Sequence, residues 1–258
     1  MKKEVKIGVF DSGIGGLTVL HECVKRAPHD SFYYYGDNAN APYGGKSREE
    51  ITGLVFHALT KLQRLGIDAA VLACNTATAV CAEEMRSKFP FPVIGMEPAV
   101  KPAGERCENV LVLATPRTAE SERLQTLIAH SPNCRFTVYP AAGLAGAIEK
   151  KFLFGERLTL SDHLPEGTFD GVVLGCTHYS YLKGEISKFY GAPVFDGNEG
   201  TARRLISVLS MRGIGTADHQ KTQDLDDGLK KKHKNRVHFV GKNGKMNEIL
   251  YKSEQMFL

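Results

Sequence analysis

The sequence predicts an α/β protein made of two similar, doubly wound lobes related by a pseudo-two-fold axis, with the active site between them. Two observations carry that prediction. Short apolar runs alternate with helical segments almost throughout, the pattern of a parallel sheet covered on both faces. The pattern also nearly repeats itself: residues 69–76 (AAVLACNT) align with residues 171–178 (GVVLGCTH), and the run 5–10 ending in Asp11-Ser12 pairs at nearly the same spacing with 110–114 ending in Thr115-Pro116.

Taken in order, the apolar run 5–10 reads as a first strand, followed past a glycine-rich turn by a helix over 17–26. The aromatic run 32–35 is a second strand, and a long helix over 49–65 opens with Ser47-Arg48-Glu49-Glu50, a capping-box pattern. Strands follow at 69–73 and 93–96 with a helix at 79–88 between them. The second series has strands at 110–114, 136–139, 171–174 and 193–195 and helices at 121–129, 143–154, 182–190 and 202–211. A last strand is expected at 237–240 and a last helix at 246–257. The first lobe is expected to span 1–96, completed by 212–258, and the second 97–211, with the polar link 213–235 leading back to the first lobe.

A chain of 258 residues can bury a sizeable core, and no stretch reaches the roughly 18 uninterrupted apolar residues of a membrane helix. Met1-Lys2-Lys3-Glu4 runs straight into a strand-like segment without an apolar signal region, so a cytoplasmic location is expected. The net charge is +4, and the whole excess lies after Met211, notably in Lys230-Lys231-Lys232-His233-Lys234-Asn235-Arg236 beside the acidic Asp224 to Asp227. That stretch reads as a solvated linker. A nucleic-acid groove would interleave aromatics, and none lies between Met211 and His238. Six cysteines without a CxxC or CxxH pair give little support to zinc or thioredoxin-type chemistry, and Cys23, Cys81, Cys107 and Cys134 read as small apolar side chains.

Cys74 and Cys176 differ from those four because each follows a strand and precedes a helix. A helix N-terminus offers unpaired N–H groups and positive potential, which favour a thiolate. Bringing a thiol from about 8.5 to about 7 takes roughly 2 kcal/mol of preferential stabilisation, which a helix end and one cationic neighbour can supply. Thr76 and Thr177 add hydroxyls just after the cysteines, and His178 lies two residues past Cys176, where it can share its proton. The turn Asp11-Ser12-Gly13-Ile14-Gly15-Gly16 is neither a dinucleotide fingerprint nor a P-loop. Its carboxylate and hydroxyl can hold an ammonium group while free N–H groups hold a carboxylate, a combination suited to an amino acid. The loop Gly36-Asp37-Asn38-Ala39-Asn40-Ala41-Pro42-Tyr43-Gly44-Gly45 offers amides, a fixed turn and one tyrosine able to close over a small ligand.

Together these motifs resemble the glutamate racemases of the cofactor-independent aspartate/glutamate racemase superfamily, over nearly the whole chain. The resemblance rests on Asp11 to Gly16, Tyr34-Tyr35-Gly36-Asp37 with Pro42-Tyr43-Gly44, Cys74-Asn75-Thr76-Ala77-Thr78, Glu97-Pro98, Ala114-Thr115 with Thr118, and Gly175-Cys176-Thr177-His178-Tyr179. It implies a two-base transfer in which one thiolate removes the α-proton of glutamate and the opposite thiol returns one, supplying D-glutamate for peptidoglycan. It implies further that Cys74 acts on the D-isomer and Cys176 on the L-isomer, with Asp11, His178 and a further acidic residue, Glu149, as helpers. Substrate-holding positions would be Asp11, Ser12, Pro42, Tyr43, Gly44, Cys74, Asn75, Thr76, Thr118, Cys176, Thr177 and His178. No pyridoxal phosphate, nucleotide or metal is expected, glutamate is the expected small-molecule partner, nucleic acid and membrane are not, and a homodimer stays open. Some relatives with an N-terminal extension are activated by a cell-wall precursor; no such dependence is expected here.

The sequence departs from the family at Ser180, where proline is usual, at Asn40, often basic, and at Gly197, often serine. None of these removes a proton carrier. Three other readings stay open at this level: an aspartate or broad-specificity racemase, an amino-acid-binding module without turnover, and a thiol redox protein whose two cysteines reach each other.

Overall fold

The computed structural model describes residues 4–214 and 237–240. The basic run 230–236 and the helix expected at 246–257 lie outside them. The first series of elements is β1 (Lys6–Asp11), α1 (Leu17–Arg26), β2 (Ser31–Gly36), α2 (Arg48–Arg64), β3 (Ala69–Leu72), α3 (Asn75–Lys88) and β4 (Val93–Gly95). After the short α4 (Val100–Gly104) comes the second series: β5 (Asn109–Ala114), α5 (Pro116–Ala119), α6 (Glu122–Ala129), β6 (Arg135–Pro140), α7 (Leu144–Phe154), β7 (Gly171–Gly175), α8 (Lys183–Tyr190) and β8 (Val194–Phe195). Helix α9 (Asn198–Met211) and strand β9 (Val237–Phe239) complete the described elements.

Two parallel sheets result, in the orders β4-β3-β1-β2-β9 and β6-β5-β7-β8. Setting β9 aside, the two orders are the same: the second strand of each series lies on one side of the first, and the third and fourth lie on the other. The internal similarity of the sequence is therefore a similarity of topology. Each sheet is buried on both faces. In the first, Ile7, Val9, Ala69 and Val71 point to one face with α1 and α9, while Phe10, Ala70 and Leu72 point to the other with α2 and α3. In the second, Leu111, Leu113, Val172 and Leu174 face α7 and α8, and Val110, Val112 and Val173 face α4 and α6.

Two features shape the junction between the halves. Helix α9, expected with the second lobe, buries Ala202, Leu205 and Leu209 in the cluster formed by β1 and α1, because its apolar stripe completes a face that α1 alone leaves open. Strand β9 pairs in parallel with β2, so the segment after α9 returns to the first sheet. Among the described residues no helix is long and apolar enough to cross a membrane.

In both sheets the connection after the first strand crosses to one face and the connection after the third crosses to the other. That reversal opens a crevice beyond the carboxyl ends of β1 and β3 in one lobe, and of β5 and β7 in the other. Asp11-Ser12, Cys74, Thr115 and Cys176 stand at these four strand ends.

Candidate active site

The two crevices meet, and hydroxyl and carboxyl groups join them. Thr177, after β7, donates to Oδ2 of Asp11, after β1, at 3.1 Å. Thr76, after β3, lies 2.9 Å from the hydroxyl of Thr115, after β5, and 3.4 Å from that of Thr118. The duplication equates Asp11 with Thr115, and each of them meets a threonine from the turn after the other lobe's cysteine: Thr177, one residue past Cys176, and Thr76, two residues past Cys74. Thr115 is the member that residue-by-residue reasoning passed over. Its signal was its position opposite Asp11 in the internal alignment.

Glycines let the lobes approach this closely. A Cβ on Gly13 would lie 1.9 Å from Oε1 of Glu149, and one on Gly15 would lie 2.5 Å from the Thr177 hydroxyl and 2.7 Å from the His178 backbone nitrogen. Tyr34, fully buried, donates to the Gly13 carbonyl at 2.6 Å and steadies the same turn from below.

Cys74 caps α3: its sulfur accepts from the Ala77 N–H at 3.5 Å and donates to the Ser12 hydroxyl at 3.6 Å. The helix end does not produce the acidic thiol the sequence led one to expect. Burial first, then the charge of Asp11, push the Cys74 thiol up to about 12, outweighing the Ala77 N–H and the Ser12 hydroxyl. The charge that weighs most on Cys74 is thus a carboxylate rather than a cation, and the thiol form is favoured.

Cys176 has the cation. Its sulfur lies 3.8 Å from Nδ1 of His178, and Nε2 of the same ring lies 2.9 Å from Oε1 of Glu149. Burial opposes a charge on His178. Hydrogen bonds to Cys176 and Glu149, with the charges of Cys176 and Asp11, override it and hold the imidazole well above its usual value. Cys176 heads a 3-10 helix (Thr177–Leu182) rather than an α-helix, so His178 turns back onto the sulfur within one tight turn. Glu149, on α7, touches the imidazole and the Ile14 N–H rather than either sulfur.

Asp11 is completely buried, and burial raises its carboxyl to about 6 despite His178, the Gly13 N–H and the Thr177 hydroxyl. Asn75 is equally notable. It is 3% exposed, and neither its Oδ1 nor its Nδ2 has a hydrogen-bond partner. Buried amides are rarely left so, and this one sits at the start of α3 beside Cys74, where a polar ligand would satisfy it.

The 36–45 loop contributes differently from its expected role as a tyrosine lid. Tyr43 is buried in the α2–α3 core with its hydroxyl turned to Asp37 at 2.6 Å, and Pro42 is exposed after a cis peptide bond. Gly44 instead brings backbone against Thr115, where a Cβ would stand 2.9 Å from that side chain's Cβ. All six cysteines are free thiols, so the disulfide required by a redox reading is not formed.

Paired strand-end crevices, one thiol in each, and a buried acid and base beside them define a two-lobed enzyme of proton transfer. The chain belongs to the Asp/Glu/hydantoin racemase family, which it matches over residues 7–205. It is 40% identical over 224 residues to a glutamate racemase of Halothermothrix orenii, covering 82% of this chain and 88% of that one. It is 39% identical over 225 residues to glutamate racemase 2 of Bacillus subtilis, covering 81% and 83%. Among solved structures it resembles Escherichia coli glutamate racemase in complex with L-glutamate and an activator (TM-score 0.78, 30% identity, 99% and 96% of the two chains). It also resembles Francisella tularensis glutamate racemase in complex with D-glutamate (TM-score 0.74, 26% identity, 98% and 94%).

Proposed function

We propose that this enzyme interconverts L- and D-glutamate in the cytoplasm by a cofactor-independent two-base transfer, and so supplies D-glutamate for peptidoglycan. The observation that carries the reading is a pair of thiols, one from each lobe, at equivalent strand ends bordering a shared seam of carboxyl and hydroxyl groups. The glutamate complexes of its structural relatives support the substrate.

Asp11 and Ser12 hold the α-ammonium group of the substrate. The Asn75 amide, the hydroxyls of Thr76, Thr118 and Thr177, and the backbone N–H groups of Tyr43 and Gly44, set by the Pro42 turn, receive its carboxylates. In the L-to-D direction Cys176, with the His178 imidazolium beside it, takes the α-proton. The electron pair of the broken C–H bond is left in a planar carbanion conjugated with the α-carboxylate. Cys74, protonated at neutral pH because its thiol is pushed to about 12, then gives its proton to the opposite face. The turnover leaves Cys176 as a thiol and Cys74 as a thiolate, and the D-to-L direction runs from that state. Glu149 acts through His178 by keeping the imidazole charged.

Incubating the protein with L-glutamate in deuterated water tests this. The α-proton signal should disappear as optical rotation decays to zero, with L-aspartate exchanging far more slowly. Glutamate binding in a calorimeter with the α-proton retained would overturn the reading.

A further inference from the structure

We propose that Tyr181 is a positioning residue for the proton transfer, its hydroxyl reaching from the second lobe to fix the Asp11 to Gly16 turn of the first; this rests on the racemase reading above. Ile14, in the middle of that turn, is gripped from the second lobe by both of its peptide groups. Its N–H donates to Oε1 of Glu149 at 3.2 Å, and its carbonyl accepts from the Tyr181 hydroxyl at 2.9 Å.

The two grips belong to one construction. Glu149 and Phe152 are three residues apart on α7, and His178 and Tyr181 are three apart on the 3-10 helix, so each pair lies on one side of its helix. His178 bonds Glu149 at 2.9 Å, and the Tyr181 ring packs on Phe152 with centroids 4.7 Å apart. These contacts form a two-rung ladder, and the first-lobe turn is tied to both rungs through Ile14. Burial, followed by the charges of Asp11 and Glu149, raises the Tyr181 phenol, so it remains a hydrogen-bond donor across the working pH range.

Asp11 and Ser12 begin the turn that is held this way. Ser12 accepts from the Cys74 thiol, and Asp11 from Thr177. A released Ile14 carbonyl lets the turn shift, and displacements of about 1 Å at reacting groups cost on the order of 100-fold in rate.

Tyr181→Phe keeps the ring on Phe152 and removes only the hydroxyl. With wild type and variant compared on both isomers, kcat/KM should fall about tenfold, by the same factor in each direction because a variant cannot change the equilibrium. The kinetic isotope effect with α-deuterated glutamate should rise as proton transfer becomes slower relative to binding. Unchanged kcat/KM overturns the inference. So does a loss of activity that only tracks loss of folded protein in a melting experiment, with the isotope effect unmoved. A wild type that does not racemise glutamate overturns the racemase reading and this inference together, whereas an active wild type with an indifferent variant overturns the inference alone.

Discussion

Asp11 illustrates how a single buried residue links stability to function. Its carboxyl is raised from 3.8 to about 6, so in the folded protein the ionised form is disfavoured relative to the unfolded chain. The contribution of this group to stability is fully present below pH 3.8 and is lost as pH rises through 6. Replacing it with asparagine, which keeps an oxygen for the Gly13 N–H, removes that loss. Urea unfolding of Asp11→Asn should therefore show a stability difference from wild type that grows in the variant's favour by about 2 kcal/mol between pH 4 and pH 7.5. Racemisation should fall by 100-fold or more, because the charge beside Cys74 that is proposed to hold the substrate's ammonium group is gone. Parallel stability curves for the two proteins would show that Asp11 is not the strained group described here. The thiol of Cys74 carries the same lesson. A strand-to-helix turn identified the residue, but its protonation state depends on total burial and on a carboxylate 63 positions earlier in the chain, neither visible in the local sequence.

At the scale of elements, the glycine-rich turn between β1 and α1 is shaped by what lies opposite it. Gly13→Ala would drive a methyl group into the Glu149 carboxylate, the end of a flexible side chain that can swing away. The fold should survive, but the carboxylate leaves both Ile14 and His178. We expect activity to fall at least tenfold with only a modest drop in melting temperature. Gly53→Ala is the matching control. Nothing lies within 4 Å of the added Cβ on the exposed face of α2, and the substitution should stabilise the helix by about 1 kcal/mol with unaltered turnover. Equal losses of activity in the two variants would remove the special role given to the Gly13 contact. The elements legible in the sequence were those whose signals are local. The capping box before α2 is present as read, with Ser47 accepting from the Glu50 N–H and Glu50 accepting from the Ser47 N–H. Helix α3 begins at Asn75, not at residue 79, because Thr76-Ala77-Thr78 is a poor helix former that the Cys74 cap and burial hold in place. Helices α4 and α5 and the 3-10 helix that presents His178 escaped prediction. They are too short to show a period and are held by packing on other elements, α4 on β5, β7 and α6, α5 on α3 and β6, and the 3-10 helix on α1 and α7.

Considered as a whole, the molecule is two copies of one topology whose strand ends face each other, and its repeat was legible because both copies keep the apolar strand followed by cysteine. The pairing of Thr76 with Thr115 and of Asp11 with Thr177 was not, since it depends on how the lobes dock. Because both lobes supply polar groups to the seam, a bound amino acid should act as a third component joining them, and binding should be separable from chemistry. Glutamate at 100 times its Kd stabilises the folded state by about 2.7 kcal/mol. At about 2–4 °C per kcal/mol for a chain approaching this size, the melting temperature should rise by about 5–10 °C with either isomer. The Cys74→Ala, Cys176→Ala double variant should retain that rise, since Asp11, Ser12, Asn75 and the threonine hydroxyls remain, while racemisation followed by polarimetry falls by at least 1,000-fold. A double variant that still racemises would refute the two-base chemistry. One that loses the thermal shift for both isomers would show that the thiols hold the substrate as well as reacting with it, and the division of labour between seam and sulfur argued here would fail.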